Sequence, residues 1–115
     1  MEKLIITNCA ADSRKHEGVP KRLQTPDAVA KEIRNSYDAG AVIAHIHGIP
    51  MKLESWEPLT NAVREACPEA IIQFGIAAMG LKGREKIIHN KPDMASIALG
   101  SHDFAFIDAD LLVEH

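Results

Sequence analysis

Short apolar runs alternate along this chain with longer stretches of helical periodicity, the rhythm of a parallel sheet whose strands are joined by crossover helices. Leu4-Ile5-Ile6-Thr7 reads as the first strand, and residues 8–24 as a long polar loop. Thr25-Pro26-Asp27 then predicts a helix start: the threonine caps, the proline suits the first helical position, and the aspartate complements the positive end of the helix dipole. Ala28, Ile33 and Tyr37 are candidate contacts along this helix, which Gly40 ends.

The second strand spans Ala41 to His47 and is apolar throughout its first half, as expected when both faces are covered. Gly48 to Ser55 reads as a loop, and Trp56 to Cys67 as a second helix, with Pro58 in its first turn and Pro68 just past its end. Ala70-Ile71-Ile72-Gln73-Phe74 makes a third strand running into Gly75. A third helix over about Leu81 to His89 and a fourth strand from Met94 to Leu99 complete the pattern.

The sum is β-α-β-α-β-α-β with parallel strands, about half of an eight-stranded (β/α)₈ barrel. The stretch Phe104 to His115 is too short for another strand-helix unit. A whole barrel typically takes about 250 residues, whereas this chain has 115. Residues 1–115 are therefore expected to form a single α/β domain, the N-terminal half of a TIM barrel.

Within that frame His45-Ile46-His47 stands out. Side chains alternate along a strand, so both imidazoles point to one side and Ile46 to the other. Burying two imidazoles side by side brings no apolar packing gain, whereas a metal ion such as Zn²⁺ takes neutral imidazole as a ligand. Two surface histidines or a substrate-binding pair are the alternatives.

Ligands of barrels and open parallel sheets bind beyond the carboxyl ends of the strands. The candidates on that rim are Asn8, Cys9, Asp12, Ser13 and Arg14 after the first strand, and His45 and His47 on the second. Gln73 and Gly75 follow on the third, with Ser96, Ser101, His102 and Asp103 around the fourth. Four polar clusters converging on one rim favour a metal or anion site.

A hydrophobic content of 46% agrees with a globular domain. A net charge of −3 with scattered Lys and Arg leaves no basic stripe for nucleic acid, so a small-molecule substrate fits better. No apolar stretch reaches the roughly 20 residues that cross a bilayer, and the expectation is a cytoplasmic protein. Cys9 and Cys67 form neither a disulfide framework nor a Cys-x-x-Cys knuckle, and both read as structural, Cys67 at a helix end. His16, His89 and His115 are assigned to solvent, and Arg84-Glu85-Lys86 to a charged helix face.

With these residues placed, the chain resembles the N-terminal part of the zinc-dependent β-keto acid cleavage enzymes over nearly all of its length. The resemblance rests on Lys3-Leu4-Ile5-Ile6-Thr7, Thr25-Pro26, Tyr37-Asp38-Ala39-Gly40-Ala41, Ile43-Ala44-His45-Ile46-His47, Ile71-Ile72-Gln73 and Lys91-Pro92-Asp93-Met94-Ala95-Ser96. It implies a (β/α)₈ barrel in which His45 and His47 are two zinc ligands. The family's third ligand, a glutamate, and its catalytic aspartate and arginine belong to a later region, so no catalytic residue is assigned here.

Among substrate contacts, Ser96 matches a hydroxyl residue of the family. Gly75 falls where the family has a serine, so a polar substrate contact is lost there or is replaced by backbone N–H groups that a glycine leaves accessible. Asp12 lies close to the acidic residue that binds the substrate's amino group, and Ser101 is a further candidate. Gly48-Ile49-Pro50 replaces the commoner Arg-Asp after the second histidine, which implies a divergent substrate.

The implied reaction is a reversible Claisen-type exchange of a β-keto acid with acetyl-CoA to give acetoacetate and a new acyl-CoA. Zinc would act there as the Lewis acid. A half barrel leaves two sheet edges unpaired, so a homo-oligomer or a complementing C-terminal half is the expected partner. The alternative is an inactive half barrel serving as a metal-binding or interaction module.

Overall fold

Four parallel strands lie side by side in the order in which the chain makes them. In the computed structural model, which describes residues 3–11, 25–48, 52–76 and 79–96, they are β1 (Thr7–Ala11), β2 (Ile43–Ile46), β3 (Ile71–Phe74) and β4 (Met94–Ala95). The helices α1 (Pro26–Asp38), α2 (Trp56–Ala66) and α3 (Leu81–Ile88) fall between them, and a 3₁₀ turn, Leu53–Ser55, leads into α2. The expected α/β pattern of a partial (β/α)₈ barrel is thus present. No helix among the described residues is long and apolar enough to cross a membrane.

Local sequence accounts for the helix ends. Thr25 Oγ1 accepts from the Ala28 amide at 3.3 Å and Pro26 opens α1, which satisfies one of the four free amides of the first turn. Gly40, at φ +110°, turns the chain out of α1 in a conformation that a side chain would strain. At the end of α2 the Cys67 amide donates to Val63 O at 2.8 Å, and Pro68 follows.

Alternation along the strands divides the sheet into two faces. Ala10, Ala44, Ile46, Ile72 and Phe74 turn toward the helices and are buried with Val29, Ala30 and Ile33 of α1 and Trp56, Leu59 and Val63 of α2. Trp56 tilts against Phe74 with ring centroids 4.7 Å apart. Each fully buried side chain of this size stabilises the fold by about 1.5–3 kcal/mol. Cys67, at the helix end as expected, belongs to the same core. On the other face the strand residues are half-buried or exposed.

The first strand is three residues later than the apolar run suggests. Register is set by pairing with β2, Thr7 opposite Ile43 and Cys9 opposite His45, so Leu4 and Ile5 stand ahead of the ladder at 88% and 74% exposure. Only Ile6 reaches it, its carbonyl accepting from Val42 at 3.0 Å. The core-facing side of β1 is made by Asn8 and Ala10, one polar and one small, and this hides the strand from a reading based on apolar runs.

Other differences are smaller. β2 is confined to Ile43–Ile46, and its helix-free face is only partly covered among the described residues, not buried on both sides as expected. The loop before α2 contains the 3₁₀ turn. Arg84 is not a plain surface charge: its Nε donates to Met79 O at 2.8 Å. Residues 97–115 lie outside the described part, and with them the second half of the expected fourth strand and the whole final stretch.

Candidate metal centre

Cys9, His45 and Gln73 occupy one row across β1, β2 and β3, since Cys9 pairs with His45 and His45 with Gln73. Neighbouring strands are about 4.8 Å apart, so residues in one row present their side chains to one another on the same face. That face is the one the helices leave open, because Ala44 and Ile46 on either side of His45 are committed to the core. His47, just past the end of β2, returns to the same side.

The two imidazoles converge. His45 Nε2 and His47 Nε2 are 3.1 Å apart, and the rings meet edge to face with centroids at 4.9 Å. Gln73 Oε1 lies 2.7 Å from His45 Nδ1, so that an Nδ1–H donating to it leaves the Nε2 lone pair facing His47. A carbonyl-type acceptor behind a ligating imidazole is the usual outer partner of a metal site.

Cys9 joins them. Its Sγ and the ring nitrogens of His45 and His47 all lie within 4.8 Å of one another. Cys9 is exposed and forms no disulfide, while both histidines are half-buried.

Gly75 makes the space. A Cβ built on it would sit 2.4 Å from His47 Cε1 and 2.7 Å from both Nε2 atoms, so the histidines occupy the volume that any other residue would fill. The Gly75 amide donates to Ile46 O at 2.9 Å. That N–H is therefore spent in the ladder rather than offered to a ligand, and what Gly75 contributes is room.

The donors suit a metal. Tetrahedral coordination at Zn–N distances of about 2.0–2.1 Å separates two nitrogens by about 3.3 Å, close to the observed 3.1 Å.

The remaining candidates divide. Ser96 follows β4 on the same rim, half-buried, with its amide and Oγ both directed at Phe74 O, at 2.9 and 3.3 Å. Asn8 is turned the other way, its side-chain amide donating to Ser36 on α1. Asp12, Ser13, Arg14, Ser101, His102 and Asp103, like His16 and His115, lie outside the described residues, and His89 is exposed as expected. Cys9, which read as structural, stands beside the histidines; its nearness depends on the β1–β2 register, which no local signal in the sequence reports.

Asp93, within the Lys91-Pro92-Asp93-Met94 segment, works at the opposite end of the strands. Its Oδ2 accepts from the Ile72 amide at 2.8 Å and pairs with Arg64 at 2.9 Å. The Ile72 amide above all, with Arg64 added, holds this carboxyl below its ordinary value against a smaller opposing effect of desolvation. In a barrel that end serves stability.

Comparison with known proteins agrees with this architecture. A sequence model of the beta-keto acid cleavage enzymes matches residues 3–114. The chain is 36% identical to the 3-keto-5-aminohexanoate cleavage enzyme of Acetoanaerobium sticklandii and 35% identical to that of Fusobacterium nucleatum, each over 90% of this chain and 42% of the relative. It thus spans about two fifths of the length of these relatives. With the family match running over nearly all of its residues and a half-barrel sheet beneath it, the chain belongs to the beta-keto acid cleavage enzyme family.

Proposed function

We propose that this chain carries the two-histidine half of the metal centre of a β-keto acid cleavage site, with His45 and His47 holding Zn²⁺. The observation that carries the reading is the 3.1 Å approach of two Nε2 atoms in a hollow that only a glycine at position 75 leaves open. Zinc bound there supplies Lewis acidity toward the keto carbonyl of the substrate, an effect worth several kcal/mol in such sites.

The chain's own residues prepare that site. Gln73 holds the Nδ1 proton of His45 and so keeps Nε2 available. Ser96 lies on the rim where a substrate contact is needed, and Asp12 and Ser101 are assigned to substrate by family resemblance. The reaction proposed is exchange of a β-keto acid with acetyl-CoA, giving acetoacetate and an acyl-CoA. Gly75 in place of the family's serine, and Gly48-Ile49-Pro50 after His47, favour a β-keto acid other than an aminated one.

Cleavage itself is assigned to the assembled site, to which a further copy or a complementing C-terminal half adds the remaining groups. The exposed Leu4 and Ile5 ahead of β1, the edge strand among the described residues, support such pairing. Metal content of the purified chain with and without His45→Ala is the primary test. Stoichiometric zinc lost in the variant supports the reading, and a metal-free wild-type chain that takes up no added zinc overturns it. Turnover of β-keto acids with acetyl-CoA, with the C-terminal half of a relative supplied, tests the chemistry.

A further inference from the structure

We infer that Cys9 is a metal ligand, its thiolate completing a Cys/His/His donor set with His45 and His47. The inference rests on the metal reading of the histidine pair and adds to it a donor from β1.

Three observations carry it. Register puts Cys9 directly opposite His45, on the face that β2 and β3 turn away from the helices. Its Sγ stands within 4.8 Å of the histidine donor atoms. A tetrahedral site with Zn–S of about 2.3 Å and Zn–N of about 2.0–2.1 Å spaces sulfur and nitrogen by about 3.6 Å, inside that 4.8 Å span. The third observation is local: the β1–β2 pairing shifts register between Cys9 and Ala11. Such irregularities bend a strand and re-aim side chains, and they recur beside active sites.

The other cysteine provides a contrast. Cys67 is fully buried in the core, so one thiol of the chain serves packing and the other faces the imidazoles.

The chemistry changes with the third donor. A thiolate adds a negative charge and a soft ligand, which favours zinc, cobalt or ferrous iron over magnesium or manganese. The three donors of this chain account for three tetrahedral positions and leave the fourth to substrate or to a group from the complementing half. Binding follows a simple balance: the Cys9 S–H bond breaks, the sulfur lone pair forms the metal bond, and the proton goes to solvent.

Cobalt(II) titration of the reduced 115-residue chain tests this without any assay of activity. The expected result is a tetrahedral visible spectrum with a near-ultraviolet thiolate-to-cobalt charge-transfer band. Cys9→Ser should abolish that band and weaken binding by more than about tenfold, the lower end of what loss of an outer partner costs. Cys67→Ser should keep the band. Bound metal should also protect Cys9 from alkylation, read by mass spectrometry of its peptide. Cobalt bound without the charge-transfer band and with Cys9 still alkylated overturns the inference while leaving the histidine pair intact; no cobalt binding at all overturns both readings. The wild-type spectrum and the alkylation arm decide the matter even if Cys9→Ser fails to fold.

Discussion

His45 and His47 bring their Nε2 atoms to 3.1 Å in space that belongs to residue 75. Gly75 does not have the positive φ that would by itself demand glycine; Gly40 does. Its requirement is therefore steric and can be tested cleanly. Gly75→Ala should fold with unchanged circular dichroism yet bind zinc or cobalt at least about tenfold more weakly, because the new methyl displaces the rings. Unchanged affinity would show that the imidazoles do not need this hollow.

Gln73 acts on the site through His45. Gln73→Leu removes the Nδ1 acceptor and frees both the tautomer and the ring orientation. A loss of about 10–100-fold in metal affinity is expected, with the charge-bearing acceptor of Gln73→Glu restoring most of it. Titration against a competing chelator measures both, and a purely packing role would leave neither variant affected.

Acid should weaken the fold through Asp93. Its carboxyl is held below the ordinary value, so the native state favours the charged form. The stability this contributes is fully present above the ordinary carboxylate range and is lost as pH falls through the lowered folded value. In urea unfolding as a function of pH, Asp93→Asn should be less stable than wild type at neutrality, and the two curves should converge toward acid. Parallel curves would assign the acid sensitivity elsewhere.

Thr25 caps α1 through a single side-chain bond. Thr25→Ala should cost about 1 kcal/mol in chemical denaturation, whereas Thr25→Ser should stay close to wild type. An unchanged midpoint in the alanine variant would show that solvent satisfies the free amide equally well.

What the sequence discloses and what it hides follow from range. The α1 cap, the Gly40 turn and the Cys67 helix end are written in adjacent residues, and so was the His-x-His pair. The start of β1 is not local: Leu4-Ile5-Ile6 is the most strand-like stretch of the N-terminus, but pairing with β2 places the ladder after it. The same pairing brings Cys9 to the histidines, and it turns Asn8, on the next position, toward Ser36. Gly75 was legible as a departure from the family's serine. That it gives up its volume, while its N–H is held by Ile46, depends on where two rings from the neighbouring strand come to rest.

Because strand order in space repeats strand order in the chain, the centre is built by successive additions, each touching the one before. Cys9, His45 and His47 are in place once the first βαβ unit has closed, and Gln73 and Gly75 then arrive with the next strand to lock it. A chain emerging from the ribosome amino end first would hold Cys9, His45 and His47 together before α3 and β4 had been synthesised, so that on the proposed reading metal bound during translation would clamp the growing sheet early.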